Sequence, residues 1–240
     1  MPPRFHCPLP LAENRSLPLP EAVAHHALRV LRLRRGEAVV VFDGAGAEFE
    51  GELIDLDGVP GVRLTRATGA QRESPLRVEL VQALAVADKM DWIVQKAVEL
   101  GAAAVRPVEA ERCVLKLAGD RAGKRVDHWR QIAAGAAEQC GRSVLCEVGA
   151  IERFSHALAR PASGERWILA PEGGAALSSL APPQGPVSLW VGPEGGWSEA
   201  ELAAAQAAGC RPVRLGPRVL RTETAGLAAL AAMMALWGDF

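Results

Sequence analysis

The texture of the apolar residues changes near Pro75, and that change restricts the chain to two differently built parts. Before it, apolar and polar residues alternate with period two over residues 37–53, where Glu48, Glu50 and Glu52 oppose Phe49, Gly51 and Leu53. This is the pattern of a half-buried strand. Residues 39–42 form its partner, and Asp43-Gly44-Ala45-Gly46 between them tolerates the positive φ of a tight turn, so the pair is predicted to be a β-hairpin. Asp57-Gly58 marks a second turn and residues 62–65 a further strand, which together predict a small antiparallel barrel over residues 1–70. The polar stretch 67–75 reads as a linker.

Beyond Pro75, apolar strands alternate with helical patterns, the sign of a βα architecture with a largely parallel sheet over residues 74–240. Residues 78–86 are the first strand. Asp88 and Asp91 suit a helix N-terminus, Ile93, Val94, Ala97 and Val98 form its apolar face, and Gly101 ends it. Val126, Trp129, Ala133, Ala136 and Cys140 recur at helical spacing before Gly141. Residues 167–170 and 187–191 read as buried strands, Ser198 and Glu201 as a capping box that opens a helix, and residues 212–215 as another short strand. An Ala-rich helix over residues 224–237 closes the chain, with Leu227, Leu230, Met234 and Trp237 on one face.

A length of 240 residues accommodates both parts, each with an interior of its own. The 49% apolar and 23% charged residues place the chain among ordinary globular proteins. No apolar run approaches a bilayer span, and residues 1–10 lack the apolar region of a secretory signal, so a cytoplasmic protein without membrane contact is expected. Cys7, Cys113, Cys140, Cys146 and Cys210 form an odd, irregular set with no C-x-x-C pair, which favours reduced, packed thiols and no metal. The net charge of −1 does not announce a nucleic-acid partner, but local charge does more. Arg29, Arg32, Arg34 and Arg35 fall within seven residues, and Arg211, Arg214, Arg218 and Arg221 form a second run without an intervening acid.

Chemistry is expected in two stretches. Gly192-Pro193-Glu194-Gly195-Gly196-Trp197-Ser198 joins a buried strand to a capped helix, so unobstructed backbone amides face the space beyond the strand end. A Walker loop would need a Gly-Lys-Ser/Thr ending, which is missing. A dinucleotide fold would need a different glycine spacing and an acid at the end of the next strand, where Arg214-Leu215-Gly216 stands instead. Only a helix, a strand and a closing helix follow the glycines, too little for two mononucleotide halves. The second stretch, Leu215-Gly216-Pro217-Arg218-Val219-Leu220-Arg221-Thr222-Glu223-Thr224, places two arginines, a carboxylate and two hydroxyls directly before a helix, a density of polar groups unusual for a purely structural loop.

These stretches resemble the bacterial 16S ribosomal RNA uridine-N3 methyltransferases of the SPOUT superfamily. Supporting matches are Gln95-Lys96 with Glu99-Leu100-Gly101, Glu111-Arg112-Cys113 with Lys116, and Glu138-Gln139-Cys140-Gly141-Arg142; residues 26–36 and Phe42-Asp43-Gly44 resemble the family's PUA-like RNA-binding domain. The likeness covers nearly the whole chain. One departure is Val86-Ala87, where the family often carries Lys-Gly. The resemblance implies an α/β fold with a C-terminal trefoil knot and a largely parallel sheet, preceded by a PUA-like small β-barrel, and a homodimer that methylates N3 of a uridine in the decoding region of 16S rRNA in the small ribosomal subunit. It implies S-adenosylmethionine as cofactor, held by Leu169, Pro171, Gly192, Glu194, Gly195, Gly196, Leu215, Gly216, Val219, Leu220 and Thr222.

Losing the N3 proton of uridine calls for a fixed cation and a base. Arg221 is the first candidate for the cation, Glu194 or Glu223 for the base, and Arg218 for positioning phosphate or uracil. Arg4, Arg29, Arg32 and Arg112 are the candidates for RNA backbone contact. The competing readings are the same fold acting on another RNA position, and a non-catalytic RNA-binding assembly factor that uses the barrel and the basic clusters.

Overall fold

The protein is described by a computed structural model over residues 2–240. Its chain divides into two compact units: residues up to Glu73 together with Ala137–Leu145, and Ser74–Ala136 together with Cys146–Phe240.

The first unit contains β1 (Arg4–His6), β2 (Ser16–Pro18), α1 (Glu21–His25) running into a π-helical turn at His26–Val30, β3 (Ala38–Phe42), β4 (Glu48–Leu56) and β5 (Val59–Ala67). The strands form one sheet in the order β1-β3-β4-β5-β2. The hairpin lies where the period-two pattern puts it, its turn fastened by Asp43, whose carboxylate accepts from the amides of Ala45 at 2.7 Å and Ala47 at 3.0 Å. The sheet is not wholly antiparallel, because β1 runs parallel to β3. At three residues, β1 is too short to show an alternation. Phe5, Leu17, Val39, Val41, Leu53, Val62 and Leu64 make the core.

Glu48 departs from its expected place on the solvent side. It is buried, and its carboxylate accepts from Arg4, from the Ser143 hydroxyl at 2.6 Å and from Thr68 at 2.8 Å, with Arg72 at 3.3 Å. Burial alone would raise its pKa; the hydrogen bonds from Ser143, Arg4 and Thr68 outweigh that and bring it down to about 2. Period two misplaces this residue because its partners, apart from Thr68 and Arg72, come from the N-terminus and from Ala137–Leu145.

The second unit carries β6 (Val78–Ala83), α2 (Ala87–Glu99), β7 (Ala104–Glu109), α3 (Asp120–Cys140, whose last turn belongs to the first unit), β8 (Glu147–Val148), β9 (Glu152–Arg153), α4 (Phe154–Ala159), β10 (Glu165–Leu169), β11 (Ala175–Ala176), β12 (Val187–Val191), α5 (Glu199–Ala207), β13 (Arg211–Arg214) and α6 (Thr222–Trp237). The sheet order is β11-β13-β10-β12-β6-β7-β8, with β9 also beside β7, and every pairing is parallel. A parallel sheet clothed by helices, with a separate small sheet, is the fold class that the resemblance implies. Leu80, Ile93, Trp129, Trp167, Ile168, Leu189 and Leu230 fill its interior.

Three details differ from the pattern reading. The first strand stops at Ala83, because residues 84–86 lead into α2, for which Val86 is the N-cap. Asp91 faces across to α3, accepting from the Trp129 indole at 2.9 Å and pairing with His128 at 3.0 Å, so it is no longer free to serve the α2 N-terminus. Helix α6 starts at Thr222, and its buried face is Thr222, Gly226, Ala229, Leu230, Met233 and Met234, with Leu227 outside it. The Ala-rich sequence hides this, since apolar side chains surround the helix and blur its periodicity.

Candidate active site

Because β10, β12 and β13 are parallel and β10 pairs with both of the others, their carboxyl ends lie at one edge of the sheet. The segments that follow them meet there around a cavity of about 760 Å³, within the size range of small-molecule sites. Leu169, Pro171, Gly192, Glu194, Gly195, Gly196, Leu215, Gly216, Val219, Leu220 and Thr222 all line it, as do Arg218 and Arg221. Val219 is 80% exposed, an unusual setting for a branched apolar side chain. Glu223 lies one helical position beyond the lining residue Thr222.

The glycine bend is shaped by what surrounds it. At Gly195 an added Cβ would come within 3.0 Å of the Arg112 Cβ, and Gly196 has φ of +69°, so both positions call for glycine. The Arg112 guanidinium donates to the carbonyls of Gly195 at 3.2 Å and Trp197 at 3.3 Å. An expected RNA contact is thus engaged in holding the bend. Behind it, the capping box of α5 is complete: Ser198 and Glu201 exchange bonds at 2.9 and 3.2 Å. The second oxygen of Glu201 accepts from the amide of Glu111 at 2.8 Å, which ties the Arg112 segment to the same helix start.

Thr222 joins two strands to α6. Its hydroxyl donates to the carbonyl of Gly192 at 2.6 Å and accepts from Gln82 at 3.0 Å, so both of its bonding roles are filled within the protein. Glu194 accepts from the amide of Val86, the N-cap of α2, at 3.2 Å, and from Lys89 at 3.3 Å. Helix α2 has no capping side chain of its own, and the Glu194 carboxylate, bonded to the amide of its N-cap residue, places negative charge at that helix start. Lys89 also lies 3.1 Å from Glu223. Burial pushes the Glu194 carboxyl up, but its own amide, the Val86 amide and Lys89 together hold it below the usual carboxylate range. Lys89 is raised above its ordinary value, chiefly by its hydrogen bond to Glu223.

Two buried atoms in the lining residues have no hydrogen-bond partner: the indole Nε1 of Trp197 and Oε2 of Glu194. An unpaired buried polar atom costs about 1–3 kcal/mol, which a ligand carrying the complementary group would relieve. Among the described residues, no group of three or more His, Cys, Asp or Glu is placed to hold a metal ion, and no helix is long and apolar enough to cross a membrane.

The expected RNA contacts are divided. Arg29 and Arg32 are exposed beside the π-helical turn, together with Arg34 and Arg35. Arg4 is not at the surface: its side chain is 11% exposed, bonded to Glu48 and to the Arg142 carbonyl, and its guanidinium lies over the Phe42 ring. Lys89, Gln82, Trp197 and Glu201 are the site residues to which sequence pattern assigned no part in the cavity. Lys89 stands between the two aspartates of a helix start, and nothing nearby in sequence discloses its partners.

A parallel sheet whose neighbouring loops line a glycine-rich cavity at the carboxyl ends of its strands, with a separate small sheet, defines an α/β protein with a small-molecule site at the sheet edge. Residues 72–234 match the RNA methyltransferase domain family and residues 19–58 the RNA methyltransferase PUA domain family. Ribosomal RNA small subunit methyltransferase E of Bacillus subtilis is 34% identical over 220 residues, which is 87% of this chain and 86% of that protein. The Neisseria gonorrhoeae protein of the same name, solved bound to S-adenosyl methionine, is 40% identical, with a TM-score of 0.95 over 100% of both chains. A Legionella pneumophila methyltransferase solved with its cofactor bound is 33% identical, with a TM-score of 0.95 over the full length of both. The chain belongs to the ribosomal RNA small subunit methyltransferase E family.

Proposed function

We propose that this protein transfers the methyl group of S-adenosylmethionine to N3 of a uridine in the 16S rRNA of the small ribosomal subunit, acting as a homodimer in the cytoplasm. The observation that carries this reading is the single cavity formed by the segments after β10, β12 and β13, whose lining includes the glycine bend together with Arg218 and Arg221.

The residues fit the cofactor. The bend offers backbone groups without side-chain obstruction, the apolar Leu215, Val219 and Leu220 suit a flat heteroaromatic ring, and the unpartnered Trp197 Nε1 and Glu194 Oε2 add a donor and an acceptor. Leu169, Pro171, Gly192, Gly195, Gly196 and Gly216 complete the cradle, and Thr222 contributes by fixing Gly192. When bound, S-adenosylmethionine supplies an electrophilic methyl group on a sulfonium.

The chain must hold the acceptor nitrogen in line and remove its proton. Arg221 is the cation that stabilises the uracil anion, and Arg218 positions phosphate or uracil. The Glu194 and Glu223 carboxylates around Lys89 are the candidate bases. Glu194, held below the usual range, is ionised at neutral pH and correspondingly weak as a base. N3 lies on the Watson–Crick edge, so the uridine has to be unpaired or flipped before it reacts. Arg29 and Arg32, with Arg34 and Arg35, grip backbone phosphates and select the RNA by shape. Arg4 supports the first unit's interior, while Arg112, exposed and in the cavity lining, holds the glycine bend and stays a candidate for RNA contact.

The test is single-turnover methylation of small-subunit rRNA at saturating cofactor, with the product mapped by mass spectrometry. The wild-type chain should yield one N3-methyluridine, and Arg221→Ala should lower the rate by about 10²–10³, the usual loss when one stabilising donor is removed. Methylation of a different atom would overturn the uridine-N3 assignment, and a wild-type rate in Arg221→Ala would overturn the role given to Arg221.

A further inference from the structure

The ion cluster at the start of α2 joins three segments that are far apart in sequence. Lys89 meets Glu194 of the glycine bend at 3.3 Å and Glu223 of the first turn of α6 at 3.1 Å. The three side chains are only 20–29% exposed, so solvent screens them incompletely. The amide of Val86 reaches the same oxygen of Glu194 as Lys89 does, so the bend is fastened to α2 twice. Glu194 lines the cavity, Glu223 follows the lining residues Arg221 and Thr222, and Lys89 itself is not in the lining.

We propose that Lys89 is a positioning residue of this site: its ammonium draws the Glu194 and Glu223 carboxylates together and so fixes the glycine bend against the first turn of α6. Two carboxylates converging on one ammonium repel each other once it is gone, and either a proton is taken up or the segments separate. Separation displaces Gly195 and Gly196 on one side and Arg218 and Arg221 on the other. Lys89 therefore sets the spacing between two of the segments that line the cavity, the glycine bend and the stretch before α6 that carries Leu215, Val219 and Leu220 together with Arg218 and Arg221. The effect on chemistry rests on the methyl-transfer reading above; the effect on the two segments does not.

The experiment compares the full-length wild-type chain with Lys89→Met, Lys89→Arg and the double variant Lys89→Met/Glu223→Gln. Amide hydrogen exchange in the cofactor-free proteins should speed up in Lys89→Met at residues 193–197 and 218–223, and stay near wild type elsewhere. Calorimetric affinity for S-adenosylmethionine should fall about tenfold, within the coupling expected of residues in one ion network. Lys89→Arg should restore both readouts to within about threefold of wild type, because it keeps the positive charge between the carboxylates. The double variant should recover part of the loss, since neutralising Glu223 removes the repulsion, whereas a role in folding alone would make the two losses add.

Unchanged exchange in Lys89→Met, or a double variant worse than Lys89→Met, overturns the proposal. Should the wild-type chain take up no S-adenosylmethionine while the exchange pattern follows expectation, the methyl-donor reading fails and the positioning role of Lys89 stands.

Discussion

Glu48 is a buried carboxylate of the first unit, paired with two arginines. A carboxylate with 3% side-chain exposure survives there because two guanidiniums, those of Arg4 and Arg72, and two hydroxyls face it. Folding lowers its pKa from 4.5 to about 2, so between those values the unfolded chain binds a proton that the folded chain releases. The stabilisation is therefore complete above about pH 4.5 and is lost as the pH falls through about 2, a contribution of order 3 kcal/mol at neutral pH. Glu48→Gln should lower stability at pH 7 by about this amount and flatten its decline between pH 4.5 and 2, as followed by urea unfolding across that range. A decline as steep as that of the wild type would place the acid sensitivity elsewhere. Thr222 shows the same limit on sequence reading in a milder form. Its place in a polar loop was legible, but its hydroxyl is bonded to Gly192 and Gln82, and Gln82 reads in the sequence as an ordinary strand residue.

Elements with a local signature were legible, and those defined by distant partners were not. The hairpin of β3 and β4 and the capping box of α5 are each specified within a few residues, so period and spacing locate them closely. The two stretches in which chemistry is expected also meet at the cavity, because the strands before them, β12 and β13, both run parallel to β10 and so carry their carboxyl ends to one edge. By contrast, β1 is too short to reveal a period, and α6 is too uniformly apolar for its buried face to be read. The capping box also does more than its motif implies, since Glu201 holds the amide of Glu111 while Arg112 next door holds the glycine bend. Glu201→Ala removes two backbone acceptor contacts and should cost about 1–2 kcal/mol, or a few degrees of melting temperature. Cofactor affinity should fall with it, because the Arg112 segment loses its attachment to α5. Calorimetric melting together with cofactor titration checks both, and a lower melting point with undiminished affinity would separate the cap from the site.

At the scale of the whole molecule, the two units are not two consecutive stretches of chain. Residues 137–145 belong with the N-terminal part, where Ser143 donates to Glu48, the Arg142 guanidinium bonds Glu73 at 2.6 Å and the His6 amide bonds Glu138 at 2.9 Å. A polar stretch such as Glu138-Gln139-Cys140-Gly141-Arg142 has no pattern that reveals this return. It decides how RNA binding has to be tested. Deleting residues 1–70 would remove Glu48 from the buried Ser143 hydroxyl, Arg4 from the Arg142 carbonyl and the His6 amide from Glu138, so a loss of affinity would also report damage around residues 137–145. Charge removal in the intact chain avoids this, since Arg29 and Arg32 are exposed and lie far in sequence from the cavity residues. If each grips one phosphate, Arg29→Ala/Arg32→Ala should lower the slope of log affinity against log salt by roughly 1.4–1.8, at about 0.7–0.9 per contact. The expected outcome of a salt titration with small-subunit rRNA is weaker binding at low salt, convergence with the wild type at high salt, and unchanged affinity for S-adenosylmethionine. An unaltered slope would move the RNA contact away from the π-helical turn, and the remaining candidates would then be Arg218 and Arg221 at the cavity itself.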